Sequence, residues 1–332
     1  MFIIESYSIA VFFCVITMLC WGSWANTQKL AGKSWRFELF YWDYVIGIVL
    51  MTLLFGFTLG SFGKAGRSFI PDLLQANGNS YLLALAGGAV FNLANILVVA
   101  AIAVAGMAVA FPVGIGLALV LGVAINYFSA RQGDPLLLLV GVLLVTSAII
   151  IDALAYRKLA AGTGKVPTKG LALAISGGVL MSLFYFFVQR SMSLDFSNPA
   201  HGKFTPYSAL FIFSLGVLIS NFLFNTYIMR KPVQGEPVNF KQYFSGTPAT
   251  HLVGILGGII WCIGMSFSII AAEKAGPAIS YGLGQGATMV ASFWGVFIWK
   301  EFKDAPEGTN TYIFGMFLLF IAGLALIVYA GL

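Results

Sequence analysis

A chain of 332 residues is long enough for two soluble domains, but 59% of it is hydrophobic and only 9% is charged, against about 25% charged in ordinary globular proteins. So few polar side chains cannot cover a water-exposed surface of that size, which excludes a cytosolic enzyme, a secreted domain and a nucleic-acid-binding module. The 18 basic residues against 12 acidic ones, net +6, fit contact with an anionic lipid leaflet.

A helix crossing the bilayer hydrocarbon needs about 20 apolar residues. Ten such runs are predicted, at 6–28, 38–60, 80–103, 107–128, 135–156, 170–189, 206–229, 249–271, 276–299 and 311–331. Polar segments separate most of them, and only Ala105-Gly106 divides the third from the fourth. The apolar stretch from Tyr81 to Phe128 is nonetheless too long for one crossing. The first run does not read as a cleavable signal peptide. No basic segment precedes it, and Trp21, Trp24, Asn26 and Gln28 stand where a small-residue cleavage site belongs. Cys14, Cys20 and Cys262 lie in apolar runs without metal-ligand neighbours at useful spacing, so no disulfide framework, metal site or cofactor is expected.

With an even number of crossings both termini share a face. Short loops on that face carry six basic residues, Lys64, Arg67, Arg131, Arg190, Lys203 and Lys274. The opposite loops carry twelve: Lys29, Lys33, Arg36, Arg157, Lys158, Lys165, Lys169, Arg230, Lys231, Lys241, Lys300 and Lys303. Positive charge accumulates on the cytoplasmic side, so both termini are predicted to be extracytoplasmic.

An internal repeat runs at a constant offset of 170 residues: Gly87-Gly88 falls on Gly257-Gly258, Ala105-Gly106 on Ala275-Gly276, Ala108 on Ala278, Phe111 on Tyr281, and Gly114-x-Gly116 on Gly284-x-Gly286. The first and sixth runs agree less closely at an offset of 161, where Trp24 meets Tyr185 and Gln28 meets Gln189. Five crossings per half is an odd number, so the second copy enters from the opposite face and the repeats are inverted. The expected organisation is two five-helix repeats, 1–158 and 169–332, joined by a short cytoplasmic linker at 159–168. Inverted halves can exchange conformations and present a midplane site to each side in turn.

Polar side chains inside a span are costly and usually face a cavity or a partner helix. Trp21, Trp24 and Gln28 share one helical face of the first run, Asn92 and Asn95 one of the third, and Tyr185 and Gln189 one of the sixth. Asn221 and Asn225 lie in the seventh, Tyr281 and Gln285 in the ninth. Amides alternating with flat rings suit a small neutral solute rich in hydroxyl or amide groups, because rings cover its apolar faces while amides replace its lost water. The candidate lining is therefore Trp21, Trp24, Asn92, Asn95, Tyr185, Gln189, Tyr281 and Gln285. The competing reading is interhelical hydrogen bonding, worth about 0.6 kcal/mol per pair.

Asp43 is the one acid well inside a span. It either carries a coupling proton, pairs with Lys29, Lys33 or Arg36, or bonds to nearby backbone. Asp152 is expected to pair with Arg157 and Lys158, and Glu5 and Glu273 to be solvated ends. Neither His201 nor His251 suggests a relay. Gly282, Gly284 and Gly286 form no phosphate loop, since no lysine follows; their spacing suits close helix packing. Pro112 beside Gly114 loosens the fourth run, which makes Pro112, Gly114 and Gly284 the candidate hinges.

Several segments carry a resemblance: Glu5-Ser6, Gly22-Ser23-Trp24, Trp42-Asp43-Tyr44-Val45-Ile46-Gly47, Phe57-Thr58-Leu59-Gly60, and Gly87-Gly88 with Asn92 and Asn95. Phe111-Pro112-Val113-Gly114, Asn126-Tyr127-Phe128, and Ser292-Phe293-Trp294-Gly295 with Lys300-Glu301 continue it into the second half. Together they resemble the drug/metabolite transporter superfamily, and within it the ureide permeases and the glucose/ribose porters. The stretch from Arg157 to Lys169 lacks the long central loop of plant ureide permeases and is similar to a prokaryotic member. The resemblance implies an all-α integral membrane fold of ten helices in two inverted repeats, in the cell inner membrane. It implies uptake of a small neutral solute, a sugar such as ribose or glucose, a ureide or a nucleobase, often with a co-transported proton. It also places Asp43 at the family's Asp-Tyr position, as a coupling or gating residue. The alternative on the same scaffold is export of metabolites or drugs; the first run holds no carboxylate beyond Glu5, which counts against a cationic cargo. No clustered His, Asp and Glu set supports a membrane enzyme, and no charged ring or repeated filter motif supports a channel.

Overall fold

The computed structural model describes residues 1–32, 35–159 and 167–332, with the backbone alone at 107, 108 and 111. Lys33, Lys165 and most of the expected linker, which entered the orientation and domain readings, lie outside the described residues. The chain is built from helices, and among the described residues nine helical segments are long and apolar enough to cross a membrane. In chain order the helices are α1 (Tyr7–Ser23) with the short α2 (Ala25–Leu30), α3 (Phe37–Phe57), α4 (Phe69–Gln75), α5 (Gly78–Ala105) and α6 (Met107–Ala110). A π-helical turn, Phe111–Ile115, leads into α7 (Gly116–Ala130), followed by α8 (Pro135–Leu159), α9 (Thr168–Ser191) and α10 (Pro206–Arg230). Then come α11 (Phe240–Phe244), α12 (Pro248–Ala275), α13 (Pro277–Gly284), α14 (Ala287–Phe293), a second π-helical turn at Trp294–Ile298, and α15 (Thr309–Tyr329).

Local chemistry explains the boundaries. Ser6, Asn77 and Thr247 side chains accept from backbone N–H groups in the first turns of α1, α5 and α12, satisfying donors that have no partner within the helix. Gly106 and Gly276 end the two longest helices at φ +75° and +84°, a left-handed region that glycine enters without a Cβ clash. The weak Ala105-Gly106 boundary is therefore a sharp stop. The ninth predicted run departs from expectation: it breaks at Gln285-Gly286 between α13 and α14. Three glycines in five residues weaken helix formation there. Their missing side chains admit neighbours: a Cβ on Gly284 would stand 2.8 Å from the Trp21 ring, and one on Gly286 2.5 Å from Met18 Sδ.

The burial pattern inverts that of a soluble bundle. Phe12, Leu50, Leu54, Leu139, Leu143 and Phe222 are exposed, while Asn92, Asn126, Asn221, Ser214 and Ser268 are buried. Lipid solvates the outer apolar surface, so nothing drives those side chains inward, and the interior is held by close packing and polar contacts.

Helix ends gather at two faces, named here for Arg36 and Arg67. Both termini lie at the Arg67 face, where the Tyr7 hydroxyl donates to the Val328 carbonyl and Asp134 N–H to the Ala330 carbonyl. The main packing pairs are α5 with α9, α1 with α12, α5 with α10, and α3 with α12. To these are added α8 with α15, α3 with α10, α7 with α9, α1 with α13 and α14, and α7 with α13. Glycines set the closest crossings. A Cβ on Gly88 would strike the Phe213 carbonyl of α10, and one on Gly258 the Tyr44 carbonyl of α3.

Candidate functional site

Aromatic side chains meet between α1, α3, α5 and α12. Phe37, Tyr41 and Tyr44 occupy one stripe of α3 at i, i+4 and i+7. The Phe37 and Tyr41 rings stack at 4.9 Å, and Tyr41 and Tyr44 at 5.3 Å. Trp24 lies 4.7 Å from Tyr44. Trp261 of α12 faces Phe91 of α5 at 4.3 Å and reaches Tyr44 at 6.3 Å and Trp21 at 6.1 Å. Asn95 Nδ2 donates to the Tyr41 hydroxyl at 3.2 Å, whereas the buried Tyr44 hydroxyl has no partner among the described residues.

Of the eight lining residues expected from sequence, Trp24 and Asn95 join this aromatic cluster directly. Trp21 borders it, its Nε1 donating to the Trp261 carbonyl at 3.3 Å. Tyr185 and Tyr281 sit further along the same aromatic chain, 5.2 Å apart. Their hydroxyls are engaged between helices, Tyr185 with Ser268 and Ser280, Tyr281 with the Ala118 and Met181 carbonyls. Asn92 Nδ2 donates to Ser220 Oγ at 2.9 Å, Gln189 is buried with Nε2 unpartnered among the described residues, and Gln285 caps α13 at the break. Pro112 and Gly114 fall inside the π-helical turn, and Gly284 ends α13, so all three candidate hinges stand at helix irregularities.

Sequence reading missed Tyr41, Tyr44, Phe91 and Trp261. The signals were present: the i, i+4, i+7 aromatic stripe on α3, and Phe91 falling on Trp261 at the 170-residue offset.

Asp43 points elsewhere on α3. Its carboxylate is buried and receives the Tyr243 hydroxyl at 2.7 Å, while His251 Nδ1 lies 2.9 Å from both oxygens. Trp35 meets the His251 ring edge-on at 5.3 Å. Burial, then the hydrogen bond to Asp43 and its negative charge, push the Tyr243 phenol above its usual range, so it stays a donor. Lys29 and Arg36, two of the expected partners of Asp43, pair instead with Glu301 at 2.8 Å and Glu38 at 2.5 Å; the third, Lys33, lies outside the described residues. Three further expectations change. His251, read as uninvolved, is the partner of Asp43. Asp152 is buried and forms no ion pair among the described residues, because Lys158 turns to the Glu307 carbonyl at 3.0 Å. Glu273 is not a solvated end: its side chain is 9% exposed and accepts from Phe196 N–H at 3.1 Å.

Each face is held by an arginine. At one, Arg36 donates to the carbonyls of Gln234, at 3.0 Å, and Glu236. At the other, Arg67 pairs with Asp72 at 2.9 Å and donates to the carbonyls of Pro199, Ala200 and Lys203. A cavity of about 500 Å³ opens beside Arg36, Phe37 and Glu38, walled by α5 and α10.

This combination defines a multi-pass α-helical membrane protein with a polar-aromatic interior. The profile of the ureide permease family matches residues 40–165 and 145–330, and the chain belongs to that family, which makes it a membrane transporter of small solutes. Ureide permease 1 of Arabidopsis thaliana is 24% identical over 387 aligned positions, covering 98% of each chain. Ureide permease 2 of the same plant is also 24% identical, with 98% of both chains covered. The probable glucose uptake protein of Staphylococcus aureus (strain MRSA252) is 30% identical over 118 residues, 36% of this chain and 35% of that one. One solved crystal structure superimposes with a TM-score of 0.64 over 96% of both chains at 17% identity, which shows a shared fold alone.

Proposed function

We propose that the protein takes up a small neutral solute, a ureide, a nucleobase or a sugar, by alternating access between two inverted five-helix repeats, with the Arg36 face cytoplasmic. The observation that carries this reading is the cluster of Trp24, Tyr41, Tyr44, Asn95 and Trp261: rings and neutral hydrogen-bonding groups gather there, while the Asp43 carboxylate is turned to His251. The relatives' names, ureide permease and probable glucose uptake protein, bracket the solute class.

The packing supports two mirrored halves. Taking the broken α13–α14 segment as a ninth crossing gives ten, and exchanging the first five with the last five maps each of the larger packing pairs onto another of them or onto itself. The α5–α9 contact becomes α12–α1, and α5–α10 becomes α12–α3. Gly47 crosses the Ile255 carbonyl and Gly216 crosses the Leu85 carbonyl, and Leu85 and Ile255 are themselves 170 apart. The irregular turn at 111–115 and the break after Gly284 share that register, placing a flexible point in each half. Arg36 and Arg67 would then latch opposite faces.

Thermal shift tests the solute class. Allantoin, uracil, glucose and ribose are screened, and the true solute at 100 times its Kd adds about 2.7 kcal/mol of stability. Stabilisation by lipophilic cations alone would sink the neutral-solute reading. Proton coupling is read at Asp43. Asp43→Asn is expected to cut uptake at least tenfold, about 1.4 kcal/mol in the transport barrier, and to flatten its pH dependence while leaving the solute-induced thermal shift in place. Unchanged uptake and pH dependence in proteoliposomes would remove Asp43 from the coupling step.

A further inference from the structure

The cavity at the Arg36 face is walled by Ile96, Val99 and Ala103 of α5 and by Ile228 of α10. Both helices continue inward from that wall as polar stripes. On α5, Asn92 precedes Ile96 by four residues and Val99 by seven, on the same face; on α10, Asn225 and Asn221 precede Ile228 by three and seven. All three asparagines are 0% exposed. They leave Asn92 Oδ1, Asn225 Oδ1 and both polar atoms of Asn221 without a partner among the described residues. The bonds they do make stay within this seam. Asn225 Nδ2 donates at 2.9 Å to the carbonyl of Glu38, a residue of the cavity rim, and Asn92 Nδ2 donates to Ser220 Oγ and the Val217 carbonyl. Asn95, one turn on from Asn92, holds Tyr41 of the aromatic cluster.

Asparagines that merely joined helices would use their amide atoms, because a buried polar group left unpaired is expensive. Four such atoms along one seam, between a cavity and an aromatic cluster, point to a partner that comes and goes. We propose that α3, α5 and α10 enclose a wet track from the aromatic cluster to the Arg36-face cavity, in which Asn221 binds the passing solute. Its free carbonyl and free NH₂ together match a neutral solute that presents a donor and an acceptor side by side. This assignment rests on the permease reading above, adding a route and a binding residue to it.

Thiol labelling tests the track without knowledge of the solute. In a chain with Cys14, Cys20 and Cys262 changed to alanine, single cysteines are introduced as Asn221→Cys, Ala100→Cys on the cavity wall, and Ala148→Cys. Ala148 is as buried as Asn221, but in α8. Maleimide reacts with the thiolate, which needs water to form. N-ethylmaleimide is therefore expected to modify the first two at least tenfold faster than the third, and equal slow rates at all three would overturn the track. Ala100→Cys leaves every asparagine in place, so a folding defect in Asn221→Cys does not spoil the test. Asn221→Leu, of the same branched shape though somewhat larger, and with no hydrogen bond among the described residues to lose, is expected to keep its folded yield and melting temperature. It should lower uptake of allantoin, uracil, glucose or ribose, whichever the unaltered protein carries, at least tenfold; full uptake by this variant would overturn the binding role. If the unaltered protein carries none of these four probes, the neutral-solute reading fails, and the labelling rates still decide the track.

Discussion

Asp72→Ala is expected to remove about 3 kcal/mol of stability, more than any other substitution outside the long helices. The Asp72 side chain is 0% exposed and accepts from Arg67 Nε at 2.9 Å, Thr205 N–H at 2.7 Å, Thr205 Oγ at 3.0 Å and Gln75 Nε2 at 3.3 Å. Truncation strands Arg67 Nε and both Thr205 donors, while Gln75 Nε2 keeps the Asp72 and Lys203 carbonyls, and it frees a guanidinium whose other bonds, to Pro199, Ala200 and Lys203, tie the segment before α4 to the one before α10. Breaking a buried pair from one side costs about 3–5 kcal/mol. The lower end applies because Arg67 keeps 23% exposure and water recovers part of the charge. Asp72→Asn retains one acceptor oxygen and should lose less. Melting followed by tryptophan fluorescence in detergent separates the two variants, and a loss below about 0.5 kcal/mol for Asp72→Ala, the scale of an ordinary surface change, would show the network to be dispensable.

Gly258→Val is expected to be comparably severe, through packing alone. The added Cβ collides with the Tyr44 carbonyl and lies 3.0 Å from Gly47 Cα. Both are backbone, so no side chain can rotate out of the way. Overpacking costs about 1–3 kcal/mol even where side chains yield; here α3 and α12 must separate, carrying Tyr44 away from Trp261. Loss of a monodisperse peak in size-exclusion chromatography, together with loss of any solute-induced thermal shift, is the expected result. Gly315→Ala is the control. Its Cβ meets nothing within 4 Å, and it lies inside α15, where alanine favours the helix by up to about 1 kcal/mol. If Gly258→Val melted like this control, the crossing would be looser than its geometry indicates.

The Asp43 cluster shows why a site is harder to read than a span. Asp43 stood out as an acid within an apolar run, but its partners are Tyr243 and His251, some 200 positions away. No pattern near Asp43 marks them, and nearby Lys29 and Arg36 were the natural candidates. Asp152 misled in the same way, since the charges one turn on in its own helix turn outward.

What the sequence determined by itself is what a window of about twenty residues contains. Hydropathy located the nine helices that, among the described residues, are long and apolar enough to cross a membrane; the ninth predicted run, broken at its glycines, is not one of them. Gly106 and Gly276 fixed where the two longest helices stop, and the paired glycines at 87–88 and 257–258 marked the closest crossings. Tertiary structure alone decided which polar groups are used up in packing and which remain free. Tyr185 and Tyr281 spend their hydroxyls between helices, while the Tyr44 hydroxyl and the Asn221 amide have no partner among the described residues. The physical reason is that a side chain's availability depends on which distant backbone carbonyl the helix crossing brings beside it, and that is set only when the whole bundle closes.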